Sequence, residues 1–293
     1  LKYNKMNAVG NKYHIEIDEE ANWKIKMGDT EIFFDPEYRL EYNTIQWGYV
    51  LATPHRYRET KEQFGPVADV GSKVYFHHHI HHKDNRVDAV DKEFYIAEPL
   101  SMFCQVVDGE INMLNDFVLV KPIDEVDKKT ESGIIVETAK TAYVPNKGIV
   151  HHVPEHGPDY GINSGDMVHF TDNSEYEIEV EGEKYYCMQL HRDIPYVIES
   201  DDTIKMLGDW GIVQPLDEGD DFEENDFGVL VRRKDKVQKH KGKVTHVSAS
   251  QDWEVVVGDD VLFDRKGQFK TTIKNKEYYC LNIKRDILLL FCV

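Results

Sequence analysis

Short apolar stretches of alternating or β-branched character run the length of the chain, each closed by Gly, Asp, Asn or Pro. Examples are DFVLVKP (116–122), GIVHHV (148–153), DMVHF (166–170), YYCMQL (185–190) and IPYVI (194–198). Their length, period-two patterning and aromatic or β-branched content predict strands, and no segment sustains a helical period of useful length. The pattern predicts an all-β protein.

The strands come in sets that repeat. EGEKYYCMQLHRDIPYVI (181–198) and KNKEYYCLNIKRDILLLF (274–291) share Tyr-Tyr-Cys and, at the same offset, Arg192-Asp193-Ile194 against Arg285-Asp286-Ile287. The first third closes on DKEFYIAEPLSMFCQVV (91–107), which keeps the aromatic pair and loses Arg-Asp-Ile. GSKVYF (71–76), SGDMVHF (164–170) and VGDDVLF (257–263) each set a glycine before a strand that ends in Phe. WGYVLATP (47–54), KGIVHHVP (147–154) and KGKVTHVS (241–248) each place a glycine at a strand start. Landmarks that move together at a period of about 90–95 residues mark tandem domains. The expected divisions are 1–110, 111–201 and 202–293. An open sheet of this size exposes its edges, so each unit is expected to close into a small β-barrel.

Composition narrows the chemistry. The chain has 293 residues, with 54 acidic against 35 basic side chains and a formal net charge of -19. That balance repels phosphate backbones, and the one basic run, VRRKDKVQKHKGK (231–243), reads as a solvated loop, so no nucleic-acid partner is expected. No apolar run approaches the roughly 20 residues of a membrane helix, and no signal-peptide pattern opens the chain. Leu1 at the first position is read as a trimmed start. Cys104, Cys187, Cys280 and Cys292 lack CxxC spacing, which fits buried thiols in a reducing compartment, and the cytoplasm is expected. Phosphate-cradling glycine loops, GxSxG and HExxH are all missing, and the acidic pairs sit in polar stretches, so neither catalysis nor a cofactor is expected.

The order of elements in one unit is specific. LNDFVLVKPI (114–123) leads into a long polar stretch (124–148), and IVHHV, GINSGDMVHF and EKYYCMQLHRDIPYVI follow. Residues 112–199 resemble the GroES family of co-chaperonins. Ser132-Gly133 followed by Ile134, Ile135 and Val136 matches the family's loop tip, and Gly165-Asp166-Met167-Val168-His169-Phe170 matches its approach to the second hairpin. Residues 203–293 match almost as well, with Gly228 before Val229, Leu230 and Val231 in the tripeptide place. The first unit departs most. VGNKYHIEI (9–17) serves as its opening strand and TEIFF (30–34) as the tripeptide region, but Pro36, Tyr38 and Tyr42 make the following loop bulky. The resemblance implies three tandem GroES-like β-barrels, two near the pattern and one drifted.

The loops also stand on physical grounds. A polar, glycine-containing segment of about 20 residues inside a small β unit far exceeds the usual connection. Ile134-Ile135-Val136 is read either as an apolar anchor for a partner's groove or as an edge strand on its own barrel.

Two functions follow. By resemblance, the chain is a co-chaperonin that assembles into a ring, and its aliphatic loop tips dock on a chaperonin to cap a folding chamber. The chaperonin then turns over the ATP. Alternatively, phage-type repurposing makes it a virion or capsid structural protein whose loops pack between subunits. The drifted first unit and the poor fit of three barrels to a sevenfold ring favour this second reading. Both predict protein partners and a homo-oligomer.

One stretch lies outside this scheme. VYFHHHIHHKDNRV (74–87) puts five histidines into six positions. As a strand, it would turn His77, His79 and His81 to one face, where imidazoles can bind Zn²⁺, although i and i+4 then lie roughly 13 Å apart. The expected state is therefore a decorated hairpin arm without metal. A contact that charges near pH 6 is a further option. His151, His152 and His156 form a second, weaker cluster.

Overall fold

The alternating stretches become strands in the computed structural model, which describes residues 10–17, 24–27, 30–33, 44–54, 67–89, 92–124, 143–215, 222–224, 230–232, 240–248, 254–264, 269–273 and 276–291. The first third holds β1 (Tyr13–Glu16), β2 (Lys24–Met27), β3 (Thr30–Phe33), β4 (Trp47–Ala52), β5 (Lys73–Phe76), β6 (Arg86–Ala89), β7 (Lys92–Ala97), β8 (Met102–Val107) and β9 (Glu110–Met113). The middle third holds β10 (Phe117–Asp124), β11 (Tyr143–His152), β12 (Met167–His169), β13 (Tyr176–Val180), β14 (Glu183–Gln189), β15 (Tyr196–Ile198) and β16 (Ile204–Met206). The last third holds β17 (Trp210–Pro215), β18 (Phe222–Glu224), β19 (Leu230–Arg232), β20 (His240–Val247), β21 (Asp260–Phe263), β22 (Phe269–Ile273), β23 (Lys276–Asn282) and β24 (Ile287–Phe291). Among the described residues the α-helices are single turns: α1 (Gly157–Tyr160), α2 (Leu190–Asp193) and α3 (Ile283–Asp286). None is long and apolar enough to cross a membrane.

Three antiparallel sheets carry the repeat. Their strand orders are β6-β7-β1-β4-β5-β8-β9, β13-β14-β10-β11-β12-β15-β16 and β22-β23-β17-β20-β21-β24. The same order three times makes the chain a tandem array of all-β domains, as the landmarks predict.

The landmarks have physical reasons. Gly71, Gly165 and Gly258 take φ of +88°, +93° and +104°, a region that excludes most side chains. Their N–H groups donate to the Val50, Val150 and Val244 carbonyls, each at 2.8 Å. Phe76, Phe170 and Phe263 are buried in the cores. After each Phe the chain turns a corner, where the N–H groups of His77, Thr171 and Asp264 donate to the carbonyls of Ser101, Asp193 and Asp286. The Arg-Asp pairs belong to this corner. Buried Asp286 accepts the Asn282 N–H at 2.8 Å and the Arg285 Nε–H at 2.7 Å. Buried Asp193 accepts from Arg192 Nε at 2.9 Å. In the first third a 3₁₀ turn, Pro99–Ser101, takes this place.

The last strand of a domain gains a neighbour from the start of the next. β9 pairs with β8 from Val107↔Glu110 to Cys104↔Met113, across Asp108 and Gly109 at φ +52° and +86°. β16 pairs with β15 from Ile198↔Ile204 to Tyr196↔Met206.

Packing divides the chain into two compact units. One comprises 1–122, 149–165 and 175–190, and the other comprises 123–148, 166–174 and 191–293. In the first, Tyr13, Ile15, Val50, Val74, Phe76 and Ile80 form one core, while Tyr75, Phe103, Phe117, Leu119, Ile178 and Tyr185 form another. This second core joins side chains from the first and middle thirds. Beside it Tyr75 Oη donates to Glu181 Oε1 at 2.9 Å and accepts the Glu181 N–H at 3.0 Å, and Lys73 Nζ lies 2.7 Å from the same carboxylate. In the other unit Val213, Val244, Val261, Phe263 and Leu281 form one core. Tyr196, Met206, Trp210, Ile212, Phe269 and Cys280 form its partner, again with side chains from two successive thirds. Cys104, Cys187 and Cys280 are buried thiols, as expected, and burial raises the pKa of Cys104 and Cys280. Cys292 lies outside the described residues.

Candidate functional site

The long polar stretches leave and re-enter each sheet at neighbouring strands. Residues 17–46 connect β1 to β4, residues 125–142 connect β10 to β11, and residues 216–239 connect β17 to β20. Each is far longer than the median connection of about 4–6 residues. The root is fixed by the strand pair beneath it. β17 pairs antiparallel with β20 from Gly211↔Val247 to Pro215↔Gly242, and β1 pairs with β4 through Ile15↔Val50 and Glu16↔Tyr49.

Glycine is required where the returning strand passes under the root. A Cβ on Gly48 would lie 2.6 Å from the Glu16 carbonyl and 2.8 Å from Ile15 Cγ2. A Cβ on Gly242 would overlap Val213 Cγ1 and lie 2.8 Å from the Gln214 carbonyl. These are two of the strand-start glycines that recur in the sequence.

Among the described residues, a hairpin is seen in two of the connections. In the last third β18 pairs with β19, with Glu224 opposite Leu230, Glu223 opposite Val231 and Phe222 opposite Arg232. Leu230 and Val231 therefore lie on the strand that returns toward the sheet. In the first third β2 pairs with β3 from Lys24↔Phe33 to Met27↔Thr30, which gives the TEIFF segment the same topological place. The drifted first unit keeps the hairpin layout although its side chains differ. Gly133, Ile134, Ile135, Val136, Gly228 and Val229 lie outside the described residues.

The histidine run is not a strand. After β5, residues His78–His81 form a 3₁₀ turn, closed by Ile80 N–H to His77 O and His82 N–H to His79 O, both at 3.1 Å. Ile80 drives the turn, because it is 2% exposed and packs in the first core. The period-two expectation fails because that apolar anchor demands a tight reversal. His81 turns away, its Nε2 2.5 Å from the Ile45 carbonyl. His78 takes its place beside His77 and His79, and the ring centroids of the three lie 4.2–4.3 Å apart. Burial and the neighbouring imidazoles push His77 down to about 4, and burial also lowers His81. Charging near pH 6 therefore does not occur at His77. The second cluster separates as well: His151 and His152 flank Tyr185, whereas His156 Nε2 sits 3.1 Å from Asp116 Oδ1.

Comparison with known proteins addresses the repeat. The family described as "Chaperonin 10 Kd subunit" matches residues 110–198 and 203–291. "Co-chaperonin GroES" of Coprothermobacter proteolyticus is 38% identical over 97 residues, which cover 30% of this chain and 95% of that protein. "Co-chaperonin GroES" of Halothermothrix orenii is 35% identical over 94 residues, covering 30% of this chain and 97% of that protein. Each relative thus corresponds to about one domain of the three.

Proposed function

Because the chain belongs to the chaperonin 10 kDa subunit family, we propose that it is a co-chaperonin whose long connections dock on a chaperonin ring. The functional domains are 1–110, 111–201 and 202–293. Gly133 with Ile134, Ile135 and Val136, and Gly228 with Val229, Leu230 and Val231, supply two aliphatic tips that enter apolar grooves and cap the folding chamber. The observation that carries this reading is the shared root. Each connection rises from two neighbouring antiparallel strands, and glycines at two of the three roots let the chain pass close beneath. Such an anchor carries a long connection without disturbing the sheet. The acidic balance of -19 suits a chamber lid that does not hold apolar clients. The chain works in the cytoplasm as a homo-oligomer, and ATP turnover belongs to the chaperonin.

The test is an ATP-dependent pull-down on a bacterial chaperonin. Wild-type chain is captured with ATP, and the Ile134/Ile135/Val136→Ser and Val229/Leu230/Val231→Ser variants each lose most of the capture. If wild type and variants are captured equally, the tips are not the docking elements. If no form is captured, the co-chaperonin reading fails and a structural role in a larger particle takes its place.

A further inference from the structure

His77, His78 and His79 each bring one ring nitrogen within 4.8 Å of the others'. Three consecutive imidazoles gather in this way only because the chain bends, and Ile80 and the Tyr176 hydroxyl hold the bend. Tyr176 Oη accepts the His78 N–H at 3.0 Å and lies 2.7 Å from His78 Nδ1. The Tyr176 ring stacks on His77 at 4.6 Å, and the Phe103 ring meets His77 edge-on at 6.0 Å. Tyr176 comes from the middle domain, whereas the histidines come from the first, and all belong to one compact unit.

We propose that His77, His78 and His79 form a binding site for a divalent transition cation, with Zn²⁺ the fitting ion, and that Tyr176 orients it from the neighbouring domain. Imidazole nitrogen is a standard ligand for this class of ion. Zn–N bonds of about 2.0–2.1 Å place tetrahedral ligands roughly 3.3 Å apart, so modest ring rotations close the set. The hydrogen bond that yields is the long one from His79 N–H to His77 Nδ1, at 3.3 Å. Tyr176 engages Nδ1 of His78 and so assigns Nε2 as its ligand atom, the usual service of an outer hydrogen-bond partner to a metal-binding histidine. His79 is exposed, which gives the ion a way in and leaves the fourth position to water. The protein's negative charge favours cations around it.

The test titrates ZnCl₂ into the full chain at neutral pH in a non-chelating buffer, followed by calorimetry, with Co²⁺ absorption as the spectroscopic readout of ligand geometry. One equivalent binds, Co²⁺ gives the visible bands of a nitrogen-ligated ion, and the thermal midpoint rises with metal. His79→Asn, an exposed change that leaves the fold intact, weakens binding at least 10-fold, and Tyr176→Phe weakens it about 10-fold. His82→Asn, next to the set but outside it, binds as wild type does. Absence of a stoichiometric site overturns the proposal, as does binding that survives His79→Asn or falls equally in His82→Asn.

Discussion

A methyl group at Gly242 tests the close passage at the loop root. The added Cβ would overlap Val213 Cγ1 and lie 2.8 Å from the Gln214 carbonyl and 3.3 Å from Phe263 Cε1. Val213 and Phe263 are 1% and 0% exposed, so neither has room to retreat, and a backbone oxygen cannot rotate away. Overpacking of this kind costs about 1–3 kcal/mol. The cost falls on the β17–β20 pair, whose ladder carries the connection of residues 216–239. Native-state hydrogen exchange reads it locally, which matters in a multidomain chain where a single unfolding midpoint is poorly defined. In Gly242→Ala the β17 and β20 amides exchange about 5- to 150-fold faster, the equivalent of about 1–3 kcal/mol. Amides of β1 and β4 keep their wild-type rates. Gly48→Ala produces the mirror result, accelerating β1 and β4 and sparing β17 and β20. Exchange within about twofold of wild type in both variants would refute the steric argument, since a change that small is under about 0.5 kcal/mol.

Other consequences are as specific. Burial, and secondarily Lys147, push His169 down to about 4 from the usual 6.5. The folded state thus binds fewer protons than the unfolded one, and the stability this gives is complete above about pH 6.5 and is lost as pH falls toward 4, at up to about 3 kcal/mol. His169→Phe keeps the flat stacking on Tyr196 at 4.8 Å and removes a buried Nδ1 that has no partner among the described residues, so urea unfolding of its unit becomes less acid-sensitive across that window. Tyr75→Phe strips the Glu181 turn of a donor and an acceptor. It lowers the stability of its unit by about 1–2 kcal/mol in urea. Asp286→Ala leaves the Asn282 and Arg285 groups without their acceptor, costs about 1–3 kcal/mol, and accelerates exchange in β23 and β24 before it affects β17.

Sequence pattern revealed what is local. The glycines ahead of β5, β12 and β21 are demanded by positive φ at one residue, and the buried Phe closing each landmark reports a period-two stretch against a core. Arg-Asp-Ile was visible as a repeat, but its role was not, because the Asp286 bonds to Asn282 and Arg285 form only once α3 folds. Alternation alone describes the histidine run as extended, and Ile80 is the residue that bends it. An isolated apolar residue among polar ones, three positions after His77, is what a short turn anchored in a core looks like. Pairing of β9 with β8 was hidden for another reason. Four residues such as Glu110–Met113 suit either neighbour, and that choice is made by tertiary structure. The signal was there in Asp108-Gly109, the dipeptide that favours a two-residue hairpin. The long connections were legible from length and composition, whereas their roots needed coordinates, since a glycine's clash with a carbonyl across a ladder leaves no mark in composition.

Because β9 follows β8 across two residues and β16 follows β15 closely, each domain junction is a unimolecular event. Separate single-domain proteins joined by such a strand pair would part on dilution, at a point set by their affinity. Here the partner strand is tethered at an effective concentration in the millimolar range, so the junction holds at the lowest expression level. Fusing the domains has exchanged an equilibrium that depends on abundance for one that does not.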